Sequence, residues 1–143
     1  MPIARLNRDT LRTLADSKLE ESRVLLENEL WTGAYYMAGL AVECALKSCL
    51  AGAVKEYDFP DKQFVNAMYV HNLESLFKLN GALWAAFQAE IKADAKLRDN
   101  WSTVKDWDDG KRYDVVAELE ARAFYQASTE AVSGLMGWIR GKW

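Results

Sequence analysis

The residue with the widest chemical scope in this chain is His71, the only histidine among 143 residues. A Ser-His-Asp set, a pair of histidines or a histidine-based metal site would each have to use this one ring. His71 directly precedes Asn72, which we predict to be the N-cap of a short helix. The ring is therefore either a partly exposed neighbour of that cap or a polar group in a cleft.

Two charged residues lie in or beside the most apolar stretch of the sequence, residues 30–46. Glu43 and Lys47 are four residues apart, a spacing that favours an ion pair along a helix. Charges in a buried helix are costly unless they are paired or reach a cleft. Two interpretations follow: the pair is an ion pair alone, or it forms the interior of a polar site.

Arg112 and Tyr113 follow a flexible Asp-Asp-Gly turn. Such a pair can present a guanidinium and a stacking ring to a nucleotide or an RNA base. In the alternative interpretation, Arg112 forms a plain ion pair with a neighbouring Asp and the Tyr113 ring packs in the core.

Several kinds of site are excluded by spacing. The eight glycines never fall in the spacing of a phosphate-binding loop. Around the acidic connector, residues 106–113, Lys105 and Trp107 occupy positions where a calcium loop requires carboxylates, and Val116 stands where it requires Glu. We therefore predict solvated turn residues there, no metal site and no cofactor.

Cys44 and Cys49 are the only cysteines. On one helix they lie about 140° apart around the axis, so they cannot pair within it. With one histidine they also fall short of a four-ligand zinc set, which predicts buried, reduced thiols. Residues 1–25 lack the apolar core of a signal peptide, and the apolar stretch is shorter than the roughly 20 residues of a membrane span. We expect a cytoplasmic protein without a membrane partner.

The composition is that of a globular chain, with 50% hydrophobic and 27% charged residues. Its 18 basic and 21 acidic residues leave a net charge of −3. Bulk attraction to phosphate backbones or anionic lipid is therefore not expected, although a local basic patch could form in the fold.

The elements that must position these residues are helices, because prolines occur only at Pro2 and Pro60 and glycines are sparse. We predict an amphipathic helix over residues 8–29, an apolar helix over 32–54, a loop over 55–63, a short helix over 72–79, a helix over 82–99, the connector over 106–113 and a last helix capped by Asp114. This pattern indicates an all-α fold: an antiparallel bundle of four to five helices with a long central apolar helix, forming a single domain over residues 1–143.

Two helices carry further expectations. The small residues of the 32–54 helix would let a neighbouring backbone approach closely, either a helix of the same chain or a second copy. For the last helix, the predicted buried stripe is Val116, Leu119, Ala123, Ala127, Ala131, Leu135 and Trp138.

Three pieces of the sequence together resemble one family. They are AYYMAGLAVECALK at residues 34–47, His71-Asn72-Leu73, and Arg112-Tyr113 before a long final helix. This pattern resembles the HEPN family of nucleotide-binding and RNA-processing helical domains, and the run at 34–47 is its most specific part. The resemblance implies an antiparallel bundle that commonly dimerises and often works beside a minimal nucleotidyltransferase in toxin–antitoxin pairs.

Many members of that family are ribonucleases, which use an Arg followed, after four to six intervening residues, by a His in the last helix. That motif is absent here, because the corresponding positions after Arg122 hold Ala127, Ser128 and Thr129. No Arg precedes His71 at that distance either. The usual ribonuclease route of the family is therefore not expected.

Three hypotheses remain. The favoured one is a non-catalytic HEPN-like dimer that binds a nucleotide or RNA, a nucleotidyltransferase partner, or both, with a polar cleft formed by Glu43, Lys47, His71, Arg112 and Tyr113. The second is a ribonuclease with an atypical site, in which His71 and Arg112 converge as base and phosphate clamp in a dimer cleft. The third is a purely structural protein-interaction module.

Overall fold

The computed structural model describes residues 6–143, which form helices and connections without a strand. Pro2 lies outside the described residues. The elements are α1 (Arg8–Glu27), α2 (Trp31–Ala53), α3 (Lys62–Met68), α4 (Leu73–Leu79), α5 (Gly81–Ala93), α6 (Ala95–Val104), a 3₁₀ helix (Asp109–Tyr113), α7 (Glu118–Thr129) and α8 (Leu135–Arg140). The all-α prediction is confirmed, but residues 6–143 form eight α-helices where four to five were predicted.

Helices α1 and α2 form an antiparallel hairpin. Near the connection, Leu25 of α1 packs against Gly33 of α2, and at the far end Arg8 lies against Gly52. The turn is made by Glu29, whose φ of 60° is the left-handed conformation that commonly ends a helix. The predicted first helix, residues 8–29, therefore ends two residues earlier than expected.

Helix α2 contacts α1, α4, α7, α8 and the 3₁₀ helix. Five of its small residues are buried within a single copy of the chain, whereas Gly33 is half-buried; the five are Ala34, Ala38, Gly39, Ala41 and Ala45. The sequence predicted that either a helix of the same chain or a second copy would approach these residues. In the structure, elements of the same chain approach α2 closely.

The clearest close approach is at Gly39, where the indole of Trp107 lies directly on the α2 backbone. Trp107 is fully buried, and its ring is tilted against that of Tyr36 with 5.8 Å between centroids. This contact fixes the connector that follows α6 against α2, and with it the 3₁₀ helix.

An aromatic cluster joins α4 to α5, α6 and α8. Phe77 of α4 lies 4.5 Å from Phe87 and 5.4 Å from Trp101 between ring centroids, the second pair edge to face. Trp138 of α8 lies 5.0 Å from Phe87 in the same way. These contacts hold α4, and the His71 segment before it, in a fixed position.

The predicted helix over residues 82–99 is broken at Asp94. The Asp94 carboxylate accepts a hydrogen bond from the Leu97 backbone N–H at 3.0 Å and another from the Ser133 hydroxyl at 2.8 Å. These hydrogen bonds hold the pKa of Asp94 below its ordinary value, and the one from the Leu97 N–H has the largest effect. Because the side chain caps α6 and also binds the segment between α7 and α8, one long helix would lose both interactions.

The segment between α2 and α4 also differs from the prediction. Lys62 and Gln63 were assigned to a loop, but they begin α3, which Asp61 caps by accepting from the Phe64 N–H at 3.2 Å. The prediction for the following helix is confirmed, since Asn72 caps α4 through the Ser75 N–H at 2.9 Å.

The last helix was predicted with the wrong start, and its buried stripe was predicted correctly only in part. Asp114 does not cap it; Asp114 follows the 3₁₀ helix, and α7 begins after Ala117 without a side-chain cap. The segment between α7 and α8 divides the predicted helix in two. Three members of the predicted stripe are exposed: Leu119, Ala123 and Ala131. Val116, Ala127 and Leu135 of the stripe are buried. The buried face of α7 consists of Ala121, Phe124, Ala127 and Ser128, because Phe124 packs on Tyr35 of α2, with 4.7 Å between ring centroids.

The Gly39–Trp107 contact predicts an asymmetry between two glycines. A methyl group in Gly39→Ala would overlap the Trp107 ring, so we expect a loss of about 1–3 kcal/mol in the free energy of unfolding. Gly137→Ala is the matched control, because a Cβ there meets nothing within 4 Å, and it should be neutral or stabilising by about 0.5–1 kcal/mol. Urea denaturation followed by circular dichroism measures both, and equal effects would contradict the contact.

Candidate functional site

The candidate site lies along one side of α2. Tyr36, Glu43 and Lys47 recur at helical spacing, which places them in one line along the helix. We call these three residues the α2 row. The segment before α4 and the 3₁₀ helix both lie against it.

Glu43 is the centre of the row. Its side chain is only 7% exposed, and both carboxylate oxygens have partners. Oε1 lies 2.7 Å from His71 Nδ1, and Oε2 lies 3.5 Å from Lys47 Nζ. The interpretation of Glu43 and Lys47 as an ion pair alone is incomplete, because His71 lies closer to the Glu43 carboxylate than Lys47 does.

His71 is held by one edge of its ring. The side chain is 45% exposed, as expected for a partly exposed residue beside the Asn72 cap. A carboxylate at Nδ1 favours the proton on that nitrogen, which leaves Nε2 as the atom able to accept one. Nε2 lies 3.9 Å from Asp109 Oδ2, too far for a hydrogen bond.

The 3₁₀ helix brings Arg112 and Tyr113 to the other end of the row. The Arg112 guanidinium lies 4.8 Å from the centroid of the Tyr113 ring. Interaction with the Tyr113 phenol, and to a smaller extent with Tyr36, raises the pKa of Arg112 above its ordinary value.

One alternative for this pair is now wrong. The Tyr113 ring is not packed in the core, because the residue is 78% exposed. Within residues 6–143 no carboxylate forms an ion pair with Arg112; the nearby Asp114 pairs with Lys111, at 3.6 Å. Arg112 and Tyr113 therefore present a charged group and a ring to solvent.

The five residues predicted for the site fall into two adjoining groups. Glu43, Lys47 and His71 are in direct contact, whereas Arg112 and Tyr113 stand beside Tyr36. No hydrogen bond or ion pair joins the two groups within the described part of the chain. The 3₁₀ helix bridges them, because Asp109 at its start faces His71 and Arg112 near its end faces Tyr36.

Sequence reasoning missed Tyr36 and Asp109. Tyr36 stands seven residues before Glu43, so helical periodicity alone could have placed it in the row. Asp109 had no such signal, since only the packing of Trp107 on Gly39 brings the connector to His71.

Metal-ligating side chains and free thiols bear on two other kinds of chemistry. Residues 6–143 contain no group of three or more His, Cys, Asp or Glu side chains arranged to hold a metal ion. Cys44 is half-buried and Cys49 is buried, and both are free thiols. Burial is the main cause that raises the pKa of each thiol, which disfavours the reactive thiolate.

Comparison with protein-family models, with curated proteins and with solved structures found no match to this chain. Over residues 6–143, none of the helices combines the length and the apolar character required to cross a bilayer.

The burial of Glu43 predicts a contrast between two chemically identical pairs. Glu43–Lys47 and Glu74–Lys78 are both Glu–Lys pairs four residues apart, but the second is exposed. We expect Glu43→Gln to lower the free energy of unfolding by about 1–3 kcal/mol, because Lys47 and His71 lose their buried partner. Glu74→Gln should cost less than about 0.5 kcal/mol. Chemical denaturation of both variants is the measurement, and similar losses would mean that Glu43 has no special structural role.

Proposed function

We propose that this chain is a non-catalytic HEPN-like domain that binds a nucleotide, or one nucleotide of an RNA, along the α2 row. One observation carries the proposal. The three separated pieces of sequence that resemble the HEPN family, residues 34–47, 71–73 and 112–113, meet along a single side of α2. His71, Arg112 and Tyr113 are exposed there beside the buried Glu43 and the mostly buried Lys47, and convergence of distant segments is how a binding site is assembled.

The charges along the row suggest how a nucleotide would lie. The exposed Tyr113 ring is available to stack on a base, and the neighbouring Arg112 has no carboxylate partner among the described residues and can bind a phosphate. Around His71, Glu43 and Asp109 supply negative charge. A phosphate is disfavoured there, whereas a hydroxyl or amino group of a sugar or base finds an acceptor in the part-exposed Asp109 carboxylate.

The proposal includes a homodimer, a nucleotidyltransferase partner in a toxin–antitoxin setting and a cytoplasmic location. Because Ala34, Ala38, Gly39, Ala41 and Ala45 of α2 are buried within one copy, a second copy would need another surface. Leu30, Val115 and Leu119 are exposed apolar side chains that support self-association near the starts of α2 and α7. The Val116 N–H donates to Thr32 Oγ1 at 3.1 Å and holds these two segments together. The free thiols fit a reducing compartment.

Binding of adenosine triphosphate and of a short single-stranded oligoribonucleotide, measured by calorimetry, tests the proposal. Base stacking on an aromatic ring contributes about 1–3 kcal/mol, so we expect Tyr113→Ala to weaken binding about five- to a hundredfold. Arg112→Ala should weaken it comparably. Arg122→Ala is the matched control, because that guanidinium also stacks on a ring, 5.0 Å from the Trp31 centroid. Absence of binding by the unmodified protein, or an equal loss in Arg122→Ala, would contradict the proposal.

A second function, ribonuclease activity at an atypical site, is favoured by one observation. Glu43 holds His71 through Nδ1 at 2.7 Å and leaves Nε2 facing away from it, which is how a carboxylate orients an imidazole that acts as a general base. Arg112, on the neighbouring 3₁₀ helix, would then bind the phosphate.

Incubation of the purified protein with RNA tests this second function. If it is correct, His71→Ala lowers the cleavage rate about 10²–10⁴-fold, the usual contribution of a general base. Lys78→Ala is the control for nuclease contamination of the preparation, because Lys78 is exposed and is not part of the α2 row. No cleavage by the parent, or equal cleavage by the parent and His71→Ala, would exclude this function.

A further inference from the structure

A cavity of about 390 Å³ lies between the start of α1, the end of α2 and α3. Apolar side chains from all three helices line it, among them Leu11, Ala51, Val54 and Met68. Its volume falls within the range of roughly 300–1,000 Å³ that is typical of small-molecule sites. Lys47 lines the cavity, but none of the other residues proposed for the nucleotide surface does, neither His71 nor the 3₁₀ helix among them.

Three cations surround this apolar lining. Arg8, Lys47 and Lys55 all line the cavity, against a single carboxylate, Glu56, among its described residues. Within residues 6–143, Arg8 pairs only with the exposed Asp9, at 3.7 Å. The charge around the cavity therefore favours an anion.

Lys47 is the cation best placed to bind such an anion. Its side chain is 15% exposed, so water competes little for its ammonium. An ammonium has three donors, but its partner Glu43 lies at 3.5 Å and makes its shorter contact, 2.7 Å, with His71. Lys47 thus retains donors for a second acceptor on the cavity side.

The apolar lining also determines the chemistry of the part of the ligand that does not carry the negative charge. A nucleotide base would lose the hydrogen-bond partners of its polar edge against Leu11, Val54 and Met68, which costs free energy that a hydrocarbon does not lose. The polyphosphate of a nucleotide would in addition meet Glu56. A single negative charge joined to an apolar body satisfies both parts of the cavity.

We propose that this cavity binds an amphiphilic carboxylic acid, with its carboxylate on Lys47 and its hydrocarbon body against the apolar lining. Such a ligand occupies a site separate from the α2 surface around Arg112 and Tyr113. Among the described residues, the two sites share Lys47 alone.

Titration calorimetry with hexanoate, octanoate and decanoate, each below its micelle concentration, tests the chemistry on the unmodified protein. Affinity should rise about fourfold for each methylene that enters the cavity. Octan-1-ol, which has the same chain without the charge, should bind at least tenfold more weakly than octanoate. Affinity that is independent of chain length, or equal affinity for the alcohol and the acid, would overturn the proposal.

Substitutions then locate the site. Lys47→Met keeps the hydrocarbon stem and removes the charge, and it should weaken octanoate binding at least tenfold. Lys78→Met, which disrupts an equivalent Glu–Lys pair away from the cavity, should leave octanoate binding unchanged. Ala51→Phe, which places a ring in the cavity, should abolish octanoate binding, with circular dichroism as the check on folding. Equal octanoate binding by Lys47→Met and Lys78→Met would overturn the assignment.

Arg112→Ala separates this proposal from the proposed function. That variant should bind octanoate as the unmodified protein does, whatever its effect on nucleotide binding. Loss of octanoate binding in Arg112→Ala would show that the acid binds beside Arg112 and Tyr113 and would refute the separate cavity site.

Discussion

The close approach of other elements to α2 is the constraint on which the rest of the fold depends. Alanine and glycine on several sides of this helix let α1, α7 and the connector after α6 pack near its backbone. The approach is closest at Gly39, where the Trp107 indole occupies the space that a Cβ atom would fill. The contact is tight enough that Trp107 Nε1 is buried without a hydrogen-bond partner in the described residues, a cost that the packing of the ring has to offset.

The polar site follows from that packing. Glu43 lies one turn after Gly39, and burial of the carboxylate is tolerated because His71 and Lys47 approach both of its oxygens. Removing either partner would leave a charge in a poorly solvated place. The position of His71 depends in turn on α4, which the aromatic cluster around Phe77 holds against α5, α6 and α8. A core contact and a surface site are thus parts of one arrangement.

Much of the site was predictable, because its residues are unusual for their surroundings. Glu43 and Lys47 are charges beside an apolar run, and His71 has no second histidine with which to share a role. The cavity was not predictable. Leu11, Ala51 and Met68 are ordinary apolar residues, and nothing in their spacing distinguishes the lining of a cavity from a filled core. Whether facing helices leave a gap depends on how they are positioned, which no single segment encodes.

By itself, the sequence determined the helical class and those boundaries that depend on nearby residues. Asn72 caps α4 within one turn of chain, and the alternation of apolar and charged residues in α1 is a local pattern of helical period. Tertiary structure alone decided the break at Asp94, the phase of α7 and the meeting of Asp109 with His71. Each of these depends on a partner at least 30 residues away in the chain or on the packing of a neighbouring element. Interactions between distant segments do not produce a periodic pattern of residues in either segment, so the sequence of one segment does not reveal them.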